Sequence, residues 1–243
     1  MARFASFPKK FSLFTLLARL PLPATAQTFE GAAVDLQYQH YDDGLGLNVD
    51  TAEAYGDAAW DFGTVGAQIG LGYLSEVDSS VLLDFRQFPT ATLHLTTDVS
   101  DKLRLGAMGA SDLNDGGIYL YAAEGLYISG PLRVEARLGS SFDDNEPFTM
   151  AELFGSYALT GSLNLRAGLQ NSDYGGAGFY HVARLGLGYY INDGTEIYAD
   201  SARHGNTFGG GSPTYKGALW YVGARFDLGS KGDNRLLNFQ SWN

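Results

Sequence analysis

The chain has 243 residues, 32 of them glycine and none cysteine, and its 27 acidic against 16 basic side chains give a net charge of −11. Without cysteine there is no disulfide framework, thiolate metal site or cysteine nucleophile, and the negative balance argues against binding nucleic acid through its phosphates. An aromatic content of 14% is too high for a disordered chain, which leaves a soluble all-β domain or a membrane barrel.

Residues 1–26 read as an export signal. Arg3, Lys9, Lys10 and Arg19 are unopposed by any acid, an apolar run covers Phe11 to Ala18, and the small-residue site Ala24-Thr25-Ala26 precedes Gln27. That order of basic, apolar and small residues is the signature of a cleaved secretory signal. The apolar run is far shorter than the ~20 residues a spanning helix needs. Cleavage removes four positive charges and leaves 12 basic against 27 acidic residues.

Beyond Gln27 the pattern has period two. Leu132-Arg133-Val134-Glu135-Ala136-Arg137-Leu138 puts every charge on one face and every apolar side chain on the other, and Leu163 to Gln170 and Ala218 to Leu228 repeat the arrangement. Such alternation is the mark of strands between two unlike environments. In chain order the predicted strands are 30–41, 47–61, 65–75, 85–98, 102–111, 118–128, 132–142, 148–159, 162–170, 179–190, 195–203 and 217–228. The second and fourth are the least regular. The sixth and eighth carry apolar residues on both faces and are oriented by turning Glu124 and Glu152 to the polar side.

The connections alternate long and short. Short ones fall at Phe62-Gly63-Thr64, Val99-Ser100-Asp101, Ser129-Gly130-Pro131, Thr160-Gly161 and Asn192-Asp193-Gly194, where Gly and Asn supply tight-turn conformations. Segments beginning Leu103, Leu132 and Leu163 each follow a short turn and read as repeated hairpins. Short turns at one end and long loops at the other describe an antiparallel up-and-down barrel of about twelve strands over 27–228. Residues 229–243 are then a polar tail, either periplasmic or supplying a terminal signal through Phe239 and Trp242.

Period alone does not say which face is the core. In a membrane barrel the apolar face turns outward to lipid and the polar face inward to a lumen. The polar face here holds Arg104, Arg133, Arg137, Arg166, Arg184 and Arg225 among Gly106, Gly168, Gly186 and Gly188, and only three lysines follow residue 26. Glycines beside arginines make room for long side chains in a confined space. The apolar face holds Trp60, Phe62, Tyr73, Tyr189, Trp220 and Phe226 near strand ends, as interfacial girdles do. Both features favour the membrane barrel over a soluble exported sandwich.

Tyr221-Val222-Gly223-Ala224-Arg225-Phe226-Asp227-Leu228 has an aromatic residue, a glycine two on, and bulky residues five and seven on. With the export signal and the strand rhythm, this segment resembles the final strand of small porin-like outer-membrane β-barrels of Gram-negative bacteria, and the resemblance runs over nearly the whole chain. It implies a transmembrane barrel in the outer membrane, contact with outer-membrane lipids and lipopolysaccharide, and recognition by the barrel-assembly machinery through Tyr221, Gly223, Phe226 and Leu228. It also implies small solutes as cargo.

Twelve strands lie between barrels of eight, filled by side chains, and those of sixteen, which hold an open channel. The candidate lining is Arg104, Arg133, Glu135, Arg137, Glu152, Arg166, Arg184, Glu196, Asp200 and Arg225, with Asp35, Glu124 and Asp227 on the same face. Acids and arginines fall on neighbouring strands and are expected to pair. One reading is a narrow charged constriction for passive diffusion of small hydrophilic solutes; the other is a salt-bridged plug in a closed structural or surface-interaction barrel. An embedded hydrolase is less favoured: His181 lacks a serine two residues on, and His94 has Thr96 at that spacing but no evident partner acid. No cofactor or metal is implied. The acid clusters Asp42-Asp43, Asp112 with Asp115, and Asp143 to Glu146 suit solvated turns, with calcium or divalent bridging to lipopolysaccharide as the alternative reading.

Overall fold

The computed structural model of the chain describes residues 28–42, 48–63, 65–79, 88–113, 118–141, 149–173, 178–207 and 215–229. The expected export signal, most of the acid-rich loops and residues 230–243 of the tail lie outside these. Twelve strands follow in order: β1 (Thr28–Asp42), β2 (Asn48–Asp61), β3 (Gly66–Ser79), β4 (Phe88–Ser100), β5 (Leu103–Asp112), β6 (Ile118–Ser129), β7 (Leu132–Ser141), β8 (Thr149–Ala158), β9 (Leu163–Asp173), β10 (Phe179–Asn192), β11 (Thr195–Thr207) and β12 (Tyr215–Leu228). Each pairs antiparallel with its sequence neighbours, and β12 returns to β1 to close the barrel.

Turn chemistry sets the short end. Gly130 takes φ 58° between β6 and β7, a conformation only glycine reaches without strain. Between β10 and β11, the Asn192 side chain accepts the Gly194 N–H at 2.9 Å, which fixes a two-residue turn. Of the two strands expected to be least regular, β4 carries an extra residue at Asp98/Ser100 against β5, whereas at Asp50/Thr51 of β2 the extra residue lies on the facing β3, between Glu76 and Asp78. Such bulges bend a strand where closure demands extra twist.

The faces are inverted relative to a soluble domain. Leu138 is 67% exposed and Leu185 59%, on the outside of the barrel, whereas Asp200, Glu196, Arg137 and Arg225 are buried within it. Tyr127, Tyr157, Tyr189 and Phe226 stand outward near the short-turn end, and Tyr38, Tyr121, Phe179 and Trp220 outward toward the long-loop end. Phe29 and Trp60 extend the first group with ring centroids 6.0 Å apart. Leu36, Leu71, Leu153, Leu169 and Leu187 fill the band between. An apolar band between two aromatic girdles is the exterior of a membrane barrel, and Tyr73, Tyr189, Trp220 and Phe226 among the aromatic positions read from sequence are exposed on it.

Candidate functional site

Among the described residues the lumen holds at least two cavities. The larger, about 390 Å³, lies toward the short-turn end between β6 to β12 and β1; its polar lining includes Arg133, Glu135, Arg137, Arg166, Glu196 and Arg225. The smaller, about 60 Å³, lies toward the long loops among Gln37, Gln39, Glu53, Gln170, Tyr180 and Arg184. Their linings share Glu152 and Phe154 of β8. These two side chains therefore form the partition between an inner vestibule and an outer chamber.

The charges are assembled by register. Glu124, Arg137 and Glu152 lie directly opposite one another on β6, β7 and β8, and Arg137 reaches both acids, at 3.4 and 3.1 Å. Glu196, Arg225 and Asp35 form a matching row on β11, β12 and β1. Arg225 nonetheless binds Asp227, two residues on in its own strand, at 3.2 Å, and Arg133 likewise binds Glu135 through Nε at 3.1 Å. At the short-turn rim Arg104 holds Asp98 at 2.7 Å and Glu30 at 3.6 Å.

The centre of the network spans strands that are not neighbours. Arg166 of β9 crosses β10 to reach Asp200 at 3.3 Å and Glu196 at 3.4 Å, both on β11. It passes over Gly186 and Gly188, where a Cβ would come within 1.9 Å of Asp200 Oδ1 and 2.0 Å of Glu196 Oε1. Arg184 donates through Nε to the other oxygen of Asp200 at 2.7 Å. Asp200 thus holds two arginines with a side chain wholly out of solvent. The guanidinium planes are covered as well: Arg166 lies 4.1 Å from the Tyr198 ring centroid and 5.4 Å from that of Phe154, and Arg184 lies 4.4 Å from Tyr221 and 5.8 Å from Phe154. Cation–π contacts of this kind strengthen when desolvated.

All ten candidate lining residues face inward, and eight of them border one cavity or the other. Arg104 stays at the rim, and Asp200 is sealed beneath the arginines it binds. Of the final-strand residues, Phe226 and Leu228 point outward among the exposed apolar side chains, whereas Tyr221 borders the small chamber. Sequence reading missed Phe154, Tyr198 and Glu53. Phe154 was hidden because β8 has apolar residues on both faces.

The opposite wall is built differently. On β3 and β4 the inward side chains are mostly small or polar and packed: Thr92 Oγ1 lies 2.8 Å from Tyr55 Oη of β2, and Gln68, Thr90 and Thr96 are buried beside them. His94, 0% exposed, has a partner acid after all, since its Nδ1 lies 2.9 Å from Glu124 Oε1. The acid comes from β6, thirty residues on, so sequence spacing could not reveal it. Its Nε2 has no hydrogen-bond partner among the described residues.

Toward the long loops the interior turns apolar on two sides. Met108, Ala110, Leu120, Ala122 and Met150 cluster across β5, β6 and β8, and Val182, Ala202 and Leu219 cluster across β10 to β12 with Tyr41, Tyr180 and Tyr221 against them. His204 packs edge-on to Tyr41 with ring centroids 4.9 Å apart.

No family model matches the sequence, and no curated protein matches it. Solved structures do. The chain is similar to the KdgM porin in complex with disordered oligogalacturonate, with a TM-score of 0.55 at 9% identity over 80% of this chain and 98% of that one. It is similar to the NanC porin, with a TM-score of 0.54 at 10% identity over 80% and 100%. It is similar too to an outer membrane channel from Pseudomonas putida F1, with a TM-score of 0.54 at 12% identity over 86% and 99%. At such identities the likeness is one of fold, a small closed antiparallel barrel spanning nearly the whole of each neighbour.

Proposed function

We propose that the chain is a porin-like channel of the outer membrane, through which small hydrophilic solutes diffuse passively along a narrow, charged lumen. The observation that carries this reading is the pair of cavities meeting at Glu152 and Phe154 inside a closed barrel. Ionisable side chains inside a membrane-spanning structure are expensive and mark solute pathways when they face a cavity. The apolar band and its girdles suit outer-membrane lipid and lipopolysaccharide as surroundings. Tyr221, Gly223, Phe226 and Leu228 suit recognition by barrel-assembly machinery. The lumen acts by size and charge, with no catalytic step.

A closed structural barrel is the second reading, and the two apolar clusters toward the long loops favour it. Planar-bilayer conductance of residues 27–243 refolded in detergent separates the two. Reproducible single-channel steps are expected of the channel. Silence from protein shown to be folded assigns the lumen to the plug.

A further inference from the structure

Six inward arginines suggest at first sight a lumen for anions. The pairing says otherwise. Arg104, Arg133, Arg137, Arg166, Arg184 and Arg225 each have a carboxylate oxygen within 3.4 Å. Arg166 and Arg184 are also covered on their planar faces by Tyr198, Tyr221 and Phe154. Both guanidiniums are thus ion-paired with carboxylates and covered on their faces within the protein, so a passing anion finds them occupied.

The carboxylates are in excess. Among the described residues, seven acidic and five arginine side chains line the two cavities, with no lysine or histidine among them. Asp193 stands at the short-turn rim and Glu53 in the outer chamber. Asp35 borders the vestibule, and its Oδ1 accepts a hydrogen bond from the hydroxyl of Tyr198 at 2.7 Å. Acidic side chains thus border the path from rim to outer chamber.

Resting on the channel reading, we propose that this lumen passes small cations in preference to anions. The physical reason is the field along the path. A net negative lining between low-dielectric walls produces a potential of several kT, which raises the local concentration of cations and lowers that of anions. The arginines serve to fix the carboxylates in place and to narrow the bore. They do not set the sign.

The test is the reversal potential of single channels of residues 27–243 under a potassium chloride gradient, repeated with arginine chloride. A cation-signed potential with both salts is expected, corresponding to a cation-over-anion permeability ratio of roughly 5. The double variant Glu53→Gln with Asp193→Asn should lower that ratio at least about twofold while channels still form. An anion-signed or zero potential from conducting channels, with either salt, overturns the proposal and leaves the channel reading standing. Silence from folded protein overturns the channel reading and this proposal together.

Discussion

Tyr198 on β11 donates its hydroxyl to Asp35 on β1 at 2.7 Å, passing over β12. The crossing is possible because β12 has Gly223 beneath the ring, where a Cβ would lie 2.4 Å from Tyr198 Cζ. The contact straps the seam at which the last strand meets the first. Tyr198→Phe leaves a buried acceptor one hydrogen bond short and should cost about 1–3 kcal/mol, read as a lower urea midpoint in lipid vesicles. Gly223→Val should cost more, because the ring is pushed off Asp35 entirely. Equal stability of the two variants and the parent would remove the strap from the account.

Asp200 pairs with both Arg166 and Arg184 and has no exposed side-chain surface. Removing one partner of a buried ion pair typically costs about 3–5 kcal/mol, because the charge left behind is uncompensated. Asp200→Ala should therefore destabilise on that scale, measured by denaturant unfolding. Gly186→Ala should reproduce part of the loss without touching a charge, since its Cβ would also come within 2.4 Å of the Ala199 carbonyl oxygen. A fully stable D200A protein would show that the two arginines find other acceptors.

Phe154 borders both cavities and is flanked by Arg166 and Arg184. Phe154→Ala removes the ring from the partition and should raise single-channel conductance, with only a modest change in ion preference because no charge is altered. Unchanged conductance would place the narrowest point elsewhere, toward the apolar clusters near the long loops.

Leu185 is 59% exposed midway along β10. Arginine at the lipid midplane of a barrel costs about 2–4 kcal/mol, so Leu185→Arg should lower stability in vesicles by that amount and leave ion preference unchanged. No loss would mean that Leu185 does not face lipid.

The strands were legible because a barrel wall presents two unlike solvents at every residue, and period two follows directly. β7 shows this best: Arg133, Glu135 and Arg137 face in while Leu138 faces out. The rows Glu124–Arg137–Glu152 and Glu196–Arg225–Asp35 were partly legible, since neighbouring strands pair in near-fixed register. Contacts that skip a strand were not. Arg166 to Asp200 and Tyr198 to Asp35 depend on which glycine the shear of the barrel sets beneath each long side chain, and shear leaves no mark in a single strand. The glycines themselves were visible, and their use as clearance for lumen side chains was anticipated at Gly168, Gly186 and Gly188. Gly223 was read only as part of the final-strand signal. The dyad of His94 and Glu124 was missed because its acid lies two hairpin strands further on.

Among the described residues, none of β3, β4 or β5 lines either cavity. The space inside the barrel is thus off-axis, pressed against β7 to β12 and β1, while the opposite staves are backed by solid packing. A bore estimated from twelve strands would be too generous: the current should be that of a much smaller cylinder. Genetic changes should sort themselves accordingly, with inward substitutions on the packed staves felt as folding defects and those on the hollow side felt as changes in what gets through.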